Sequence, residues 1–287
     1  MTSIREAIAE GAKLLERGPS TARLDAEVLL SFACGRSRTE LHAHPEQEIS
    51  PDSHKRYREC LKRRAEGEPC AYITGVKEFW GLNFIVTPEV LIPRPETEHL
   101  VEAALEVCRS REGRIRIADL GTGSGCITVA LAYELKREGC EFELTAVDNS
   151  AGALAVAERN AKEISVENCI KFIRSDWFSE LEGTKFDMIV SNPPYVSVES
   201  QGLCRELGYE PEQALYAEDQ GLSCIRTIFH EAPHHLNPGG ELLIEIGQGQ
   251  AELLTEECKL SHWHDQPEFL RDLAGIDRVL RLRKSRE

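Results

Sequence analysis

No apolar run in this 287-residue chain approaches the ~18 residues needed to span a bilayer. That absence argues against a membrane protein. The first ten residues, Met1 to Glu10, mix Arg5 with Glu6 and Glu10. They lack the apolar centre of a secretory signal and the acid-free, Arg-rich character of a transit peptide, so a cytoplasmic location is expected. Ten cysteines are present, yet none forms a C-x-x-C pair or a cluster, and Cys34, Cys60 and Cys108 fall in apolar periodic segments. Scattered thiols of that kind pack as small hydrophobes, consistent with a reducing compartment. His234, His235, His262 and His264 have no Cys or Glu at metal-ligand spacing, so no metal site is expected. There is no internal repeat and no low-complexity tract.

Positive charge is also scarce, and unevenly so. The net charge is −15, from 34 Lys/Arg against 49 Asp/Glu. Residues 1–75 are neutral, with 12 of each sign, whereas residues 76–287 carry 22 bases against 37 acids. An acidic region repels a phosphate backbone, so direct nucleic-acid binding is not expected.

What is present begins with helices. Ile4, Ile8, Leu14 and Leu15 recur at helical spacing up to Gly18-Pro19, and Leu24, Val28, Leu29 and Phe32 up to Gly35. Ser50-Pro51, a cap followed by proline at the first helical position, opens a helix through Tyr57, Leu61 and Ala65. Its face carries Lys55, Arg56, Arg58, Lys62, Arg63 and Arg64 against Glu59 alone. That face is either simply solvated or a docking surface for an acidic macromolecule. With no catalytic constellation here, residues 1–68 are expected to form a small helical bundle for substrate recognition. Val76 to Trp80 and Asn83 to Val86 read as short strands around Gly81-Leu82, making residues 69–92 a β-hairpin linker. Pro95 starts a helix that reaches Cys108, with Glu96 and Glu98 at its positive end. Arg94 and Glu96 could line a pocket or merely cap that helix.

From Ile115 onward, strand and helix alternate. Strands are expected at Ile115 to Leu120, Phe142 to Asp148, Cys169 to Arg174, Phe186 to Ser191 and Glu241 to Ile246. Helices are expected at Cys126 to Lys136, Ala151 to Ala161 and Leu222 to Leu236, with two last strands at Trp263 to Leu270 and Arg278 to Leu282. The pattern predicts an α/β domain over 93–287, a mostly parallel sheet with helices on both faces.

Two stretches carry chemistry. Asp119 precedes Gly121-Thr122-Gly123-Ser124-Gly125, a glycine turn between strand and helix. Its spacing is G-x-G-x-G rather than the G-x-G-x-x-G of a dinucleotide fingerprint. An acid at its head disfavours phosphate and favours an ammonium or sulfonium. Asp148 ends the next strand, 23 residues past Gly125, where a carboxylate holds ribose hydroxyls. Asp176-Trp177 offers an acceptor for an adenine amino group and an aromatic wall. The ordered set describes a site for S-adenosylmethionine and predicts a methyltransferase. The second stretch is Asn192-Pro193-Pro194-Tyr195, directly after the strand that ends at Ser191. Two prolines stop the strand and stiffen it. The Asn192 amide, the free Pro193 carbonyl and the Tyr195 ring suit a planar –NH2 group, with two acceptors for its hydrogens and a ring against its face. The plainer alternative is a strand-ending turn with a surface Tyr.

Taken together the chain resembles the HemK/PrmC family of peptide chain release factor N(5)-glutamine methyltransferases. The shared pieces are Gly67-Glu-Pro69, Tyr72-Ile-Thr-Gly75, Glu78-Phe-Trp-Gly81, Ile92-Pro-Arg-Pro-Glu-Thr-Glu98 and Asp119 to Gly125. Ser175-Asp-Trp-Phe178, Asn192 to Tyr195, Tyr209-Glu-Pro211 and the segment Arg271 to Val279 complete them. The resemblance implies a class I S-adenosylmethionine-dependent methyltransferase fold, Rossmann-like, and a release factor's Gly-Gly-Gln loop as substrate. By position, Gly121 to Gly125, Asp148 and Trp177 would hold the cofactor, and Asn192 to Tyr195 the glutamine. The segment Gln201 to Gly208 is shorter and less acidic than is frequent in that family. The alternatives are a methyltransferase acting on an amino group of RNA or DNA, which shares N-P-P-Y, and a non-catalytic cofactor-binding module. A monomer is the default.

Overall fold

The computed structural model describes residues 2–16, 21–200, 206–259, 263 and 266–286. Gly18-Pro19, His262, His264 and residues 201–205 lie outside the described residues. The chain divides between Val76 and Lys77 into two compact units, and the short stretch ending at Tyr209 clusters with the first.

The first unit is helical: Ile4–Leu15, Ala22–Cys34, Arg38–Ala43 and Pro51–Ala65. Ser3 and Ser37 open two of these helices with reciprocal caps, each hydroxyl accepting from the amide of Glu6 or Glu40 while that glutamate reaches back. Ile4, Leu29, Leu30, Leu41 and Tyr57 fill the centre, and buried Tyr57 Oη donates to the Ala7 carbonyl at 3.2 Å. The basic helix face is engaged within its own unit. Arg64 is buried against Asp25 at 2.7 Å, Arg63 pairs with Glu68, Arg58 reaches Glu10 at 3.5 Å, and Arg56 donates to the Ala33 carbonyl. A bundle this small uses guanidinium groups to satisfy its polar atoms, which accounts for most of that charge. Cys70–Thr74 form a further short helix, in a stretch expected to belong to the hairpin linker. Five residues between Pro69 and Gly75 are too few for a readable period.

The second unit begins with a hairpin, β1 (Val76–Phe79) and β2 (Leu82–Ile85). Its turn is Trp80-Gly81, one residue earlier than expected, and both have positive φ (+55° and +68°). That is the two-residue turn whose twist matches paired strands. A tryptophan pays strain there. The Trp80 amide donates to Glu98 Oε1 at 2.7 Å and its Nε1 to Glu134 Oε1 at 3.1 Å, which holds it.

The main sheet contains β3 (Ile115–Leu120), β4 (Phe142–Asp148), β5 (Ile170–Arg174) and β6 (Phe186–Ser191). Two short paired strands follow, β7 (Val196–Ser197) and β8 (Tyr216–Ala217), and then β9 (Leu236–Glu245), β10 (Glu268–Arg271) and β11 (Asp277–Arg283). The order across the sheet is β10-β11-β9-β6-β3-β4-β5. Pairings from β9 to β5 are parallel, and β11 and β10 add antiparallel to one edge. In β3 the side chains alternate. Ile115 and Ile117 enter one core with Leu100, Leu131 and Leu135, while Ala118 and Leu120 enter a second with Ile225, Phe229 and Leu254. The helices Glu98–Arg109 and Cys126–Glu138 cover the first face, Ser223–His235 and Ala251–Lys259 the second. Helix Ala251–Lys259 was not foreseen, because its apolar stripe is short and acidic. The order turns back beside β3: β4 and β5 lie on one side, and β6 returns to the other. In open α/β sheets that switch point is where ligands bind, outside the carboxyl ends of the strands.

One buried amide ties this scaffold to the glycine turn. Asn160, in helix Ala151–Glu163, is fully buried. Its Oδ1 accepts from the Ile85 amide at 2.7 Å, and its Nδ2 donates to the carbonyls of Ile85 (3.0 Å) and Ser124 (2.8 Å). Asn160→Ala removes the partner of three backbone groups, one buried and two partly buried, and should cost about 3 kcal/mol. Urea denaturation measures it, and a stability equal to wild type would remove Asn160 from that role.

Candidate active site

The carboxyl ends of β3, β4, β5 and β6 open into a cavity of about 370 Å³. The glycine turn follows β3, Asp148 ends β4, Ser175-Asp176-Trp177 follow β5 and Asn192 follows β6. Gly121 to Ser124, Asp148, Asp176, Trp177, Asn192 and Pro194 all contribute to the wall. Residues expected from distant stretches of sequence thus share one cavity.

Gly121, Gly123 and Gly125 have φ of +72°, +55° and +78°, a conformation open to glycine and strained for other residues. A Cβ at Gly125 would lie 3.0 Å from the Ala157 Cβ, so the turn is also pressed against the neighbouring helix. Asp148 is positioned by backbone: Oδ2 accepts from Gly123 N and Oδ1 from Ser150 N, each at 2.9 Å. Burial raises its carboxyl above the ordinary range in spite of those bonds. Trp177 sits at φ +47°, its carbonyl held by the Ser175 hydroxyl at 3.0 Å.

Four expected site residues lie behind the wall: Gly125, which is buried where the turn enters its helix, Asp119, Pro193 and Tyr195. Asp119 is fully buried beneath the turn, where Oδ2 accepts from Thr122 Oγ1 at 2.7 Å. Burial pushes its carboxyl up to about 7, with Asp148 adding to the rise, and Oδ1 has no partner among the described residues. Its place is under the turn rather than facing a bound cation. Pro193 is buried, with Asn192 and Pro194 exposed on either side of it to the cavity. Tyr195 was expected to lay its ring on a planar substrate, but it does not line the cavity. A phenol hydroxyl leaving water needs a partner, and here Oη donates to Glu245 Oε1 at 3.0 Å. That bond draws the ring inward, to within reach of Gly247.

Two participants, Thr97 and Gln250, were not singled out in the sequence, and Arg94 was left open. Thr97, buried at the cavity edge, accepts from Asn192 Nδ2 at 3.0 Å. That bond uses one of the amide's two N–H donors and leaves Asn192 Oδ1 as an acceptor. Gln250 donates to the Tyr195 carbonyl at 3.2 Å while its Oε1 accepts from Gly247 N at 2.8 Å. Arg94 lines the cavity and is fixed by Glu210, which is buried and also accepts from the Ile92 amide at 3.0 Å. Glu96 is not among the lining residues. Glu210 was legible only as the middle of Tyr209-Glu-Pro211, one of the segments that carry the resemblance. Pro88 to Leu91 and Gln213-Ala214 close the remaining sides.

The donor set fits S-adenosylmethionine. A carboxylate stands where ribose hydroxyls need acceptors, an aromatic face adjoins Asp176, and the backbone of the glycine turn can approach a ligand closely.

Comparison with known proteins bears on the family and the fold. A PrmC N-terminal domain model matches residues 6–75, and a methyltransferase small domain model matches residues 98–208. The chain is 43% identical over 284 residues to a release factor glutamine methyltransferase of Coxiella burnetii, covering 99% of this chain and 100% of that one. It is 42% identical over 277 residues to the protein of that name in Escherichia coli, covering 96% and 95%. Two solved structures share the fold. A methyltransferase from Pyrococcus furiosus gives a TM-score of 0.52 at 17% identity, over 78% of this chain and 98% of that one. The hMettl16 catalytic domain, in complex with an RNA hairpin, gives 0.58 at 18%, over 76% and 80%.

Asp148→Ala should weaken S-adenosylmethionine binding by about 10- to 100-fold, the scale of one or two charge-assisted hydrogen bonds. Calorimetric titration measures it, and an unchanged affinity removes Asp148 from the ribose site. The raised carboxyl of Asp119 also sets a pH dependence. The folded protein holds its proton up to about 7, whereas the unfolded chain releases it near 4. Unfolding free energy therefore falls as pH rises between those values and levels off above. Asp119→Asn should flatten that slope in urea denaturation at pH 5 and pH 7.5.

Proposed function

The chain belongs to the release factor glutamine methyltransferase family, and on that premise we propose how this site modifies the glutamine of a peptide chain release factor. The enzyme transfers a methyl group from S-adenosylmethionine to a side-chain amide nitrogen. The observation that carries the reading is the Asn192–Thr97 bond, which leaves the clamp presenting an acceptor to the cavity. A glutamine –NH2 brings the donor such a clamp needs.

A carboxamide nitrogen is a poor nucleophile because its lone pair is delocalised into the carbonyl. Bound beside the glycine turn, S-adenosylmethionine supplies an already activated sulfonium methyl. The chain's own task is therefore positioning. Asn192 Oδ1 accepts an amide hydrogen at the cavity wall and turns the nitrogen toward the methyl donor. Pro193, buried behind that wall, and Pro194 keep the acceptor in place, since neither can donate and both have fixed φ. No general base is needed before transfer; the extra proton leaves the nitrogen afterwards. Gly121 to Gly125, Asp148, Asp176 and Trp177 hold the cofactor, with Asp119 acting from beneath. Tyr195 anchors the clamp.

The Gly-Gly-Gln loop is the segment we expect to enter, two glycines letting the glutamine reach into the cavity. We assign residues 1–68 to recognition of the release factor and 93–287 to catalysis, with the hairpin region 69–92 between them. No described helix is long and apolar enough to cross a membrane. We expect the enzyme to act in the cytoplasm as a monomer. Light scattering on the purified enzyme tests this, and the mass of two chains would overturn it.

The deciding assay offers methyl-labelled S-adenosylmethionine with a release factor in one tube and total RNA in another. Label enters the release factor. Label in RNA alone would mean a nucleobase methyltransferase, and label in neither would mean a binding module. Asn192→Ala should lower turnover on the release factor by about 100-fold, the scale for lost orientation. Turnover near that of wild type would remove Asn192 from the clamp.

A further inference from the structure

Behind the clamp lies a carboxylate that the transfer itself does not use. Glu245 ends β9, next to the strand that delivers Asn192, and is almost completely buried. Its Oε1 accepts from Tyr195 Oη at 3.0 Å, and its Oε2 has no hydrogen-bond partner among the described residues. Thr97 is a neighbour of this carboxyl as well as of the clamp. The Thr97 hydroxyl accepts from Asn192 Nδ2 at 3.0 Å, so its own proton is free for a second acceptor. The Glu245 carboxylate is the neighbour able to take it.

We propose that Glu245 is a positioning residue for methyl transfer, fixing through Thr97 which way round the Asn192 amide points and through Tyr195 where the clamp ends. This assignment rests on the reading of the cavity as a glutamine-amide site.

The argument is one of hydrogen-bond direction. An amide oxygen and nitrogen are alike in shape, so only the partners decide the orientation of Asn192. With Glu245 as acceptor, Thr97 donates to it and receives from Asn192 Nδ2, and Oδ1 faces the cavity. With a donor at Glu245 the chain runs backwards. Thr97 would receive from Glu245 and donate to Asn192 Oδ1, turning the –NH2 of Asn192 toward the –NH2 of the substrate. Two donors would then meet and the glutamine would lose an acceptor. Protonation of Glu245 is one way to create that donor, and replacement by glutamine is another.

The surroundings put that protonation within reach of ordinary buffers. Burial pushes the carboxyl up to about 7, and Glu96 raises it further, while Thr97, Tyr195 and Arg278 on β11 oppose the rise. Arg94 faces the same group of residues through Tyr195. Lower pH favours the protonated, donating form, so turnover should fall on the acidic side.

The test measures kcat and KM for release-factor methylation against pH in wild type, Glu245→Gln, Thr97→Val and Thr97→Ser. Melting temperature and S-adenosylmethionine affinity are recorded for each. Glu245→Gln keeps the shape and should lower kcat by about 10- to 100-fold, with cofactor affinity within about twofold of wild type. It should also lack the acidic limb of the wild-type profile. Thr97→Val should lose a similar factor, and Thr97→Ser, which retains the hydroxyl, should lose less. A Glu245→Gln enzyme with wild-type kcat and the wild-type acidic limb would falsify the assignment. So would losses of kcat that merely follow losses of melting temperature and cofactor affinity across the set. A wild type that leaves the release factor unlabelled overturns the function itself and is seen before any variant is measured.

Discussion

Everything at the active site depends on β6 lying parallel beside β3. Their register places Leu120 opposite Ser191, and Ser191 Oγ donates to the Leu120 carbonyl at 2.7 Å across the buried interface. The two strands therefore end together. One continues into the glycine turn and the other into Asn192. A slip of one residue would send Ser191 to the opposite face and move the clamp away from the turn. The switch in strand order opens a gap at this same point, because the connections leaving β3 and β6 diverge to opposite sides of the sheet.

Rigid loops at strand ends have to be held by something other than the ladder. Pro193 and Pro194 offer no amide protons, so the segment after β6 is secured from outside. Gln250 takes the Tyr195 carbonyl, Glu245 the Tyr195 hydroxyl and Thr97 the Asn192 amide. The segment before helix Glu98–Arg109 is tied in the same fashion, with Glu210 accepting from both Ile92 and Arg94. Each of these anchors is buried or nearly so. In a low-dielectric setting such bonds are strong, and losing one partner strands the other. The result is a cavity whose walls are fixed before any ligand arrives, which is what a reaction limited by orientation requires.

Much of this was legible in the sequence, and the reason differs from element to element. Strands β3, β4 and β6 could be placed from apolar runs bounded by Asp119, Asp148 and Asn192, because buried parallel strands are continuous in hydrophobicity. The glycine turn was readable because its backbone conformation leaves few other residues possible. Trp80-Gly81 was misplaced by one residue, since a tryptophan at positive φ is justified only by Glu98 and Glu134 from helices that follow. The short helix at Cys70–Thr74 and the helix at Ala251–Lys259 were missed, their patterns being too brief to distinguish from loop. The cationic face of the helix Pro51–Ala65 could be read as solvated or as a docking surface, and in the fold four of its arginines engage Asp25, Glu68, Glu10 and a carbonyl of their own unit.

The amino-acid sequence by itself determined the alternation of strand and helix, the glycine turn and the stiff Asn-Pro-Pro-Tyr segment. These are local properties: periodicity, permitted φ and missing amide protons act between near neighbours in the chain. Tertiary structure alone decided which groups face the cavity and which stand behind it. Asp119 lies under the turn, and the Tyr195 ring is drawn back to Glu245 from 50 residues away. Asn192 has its amide oriented by Thr97 from 95 residues away. An amide can point either way round and a buried hydroxyl must find an acceptor, so these choices belong to the partners that folding brings together.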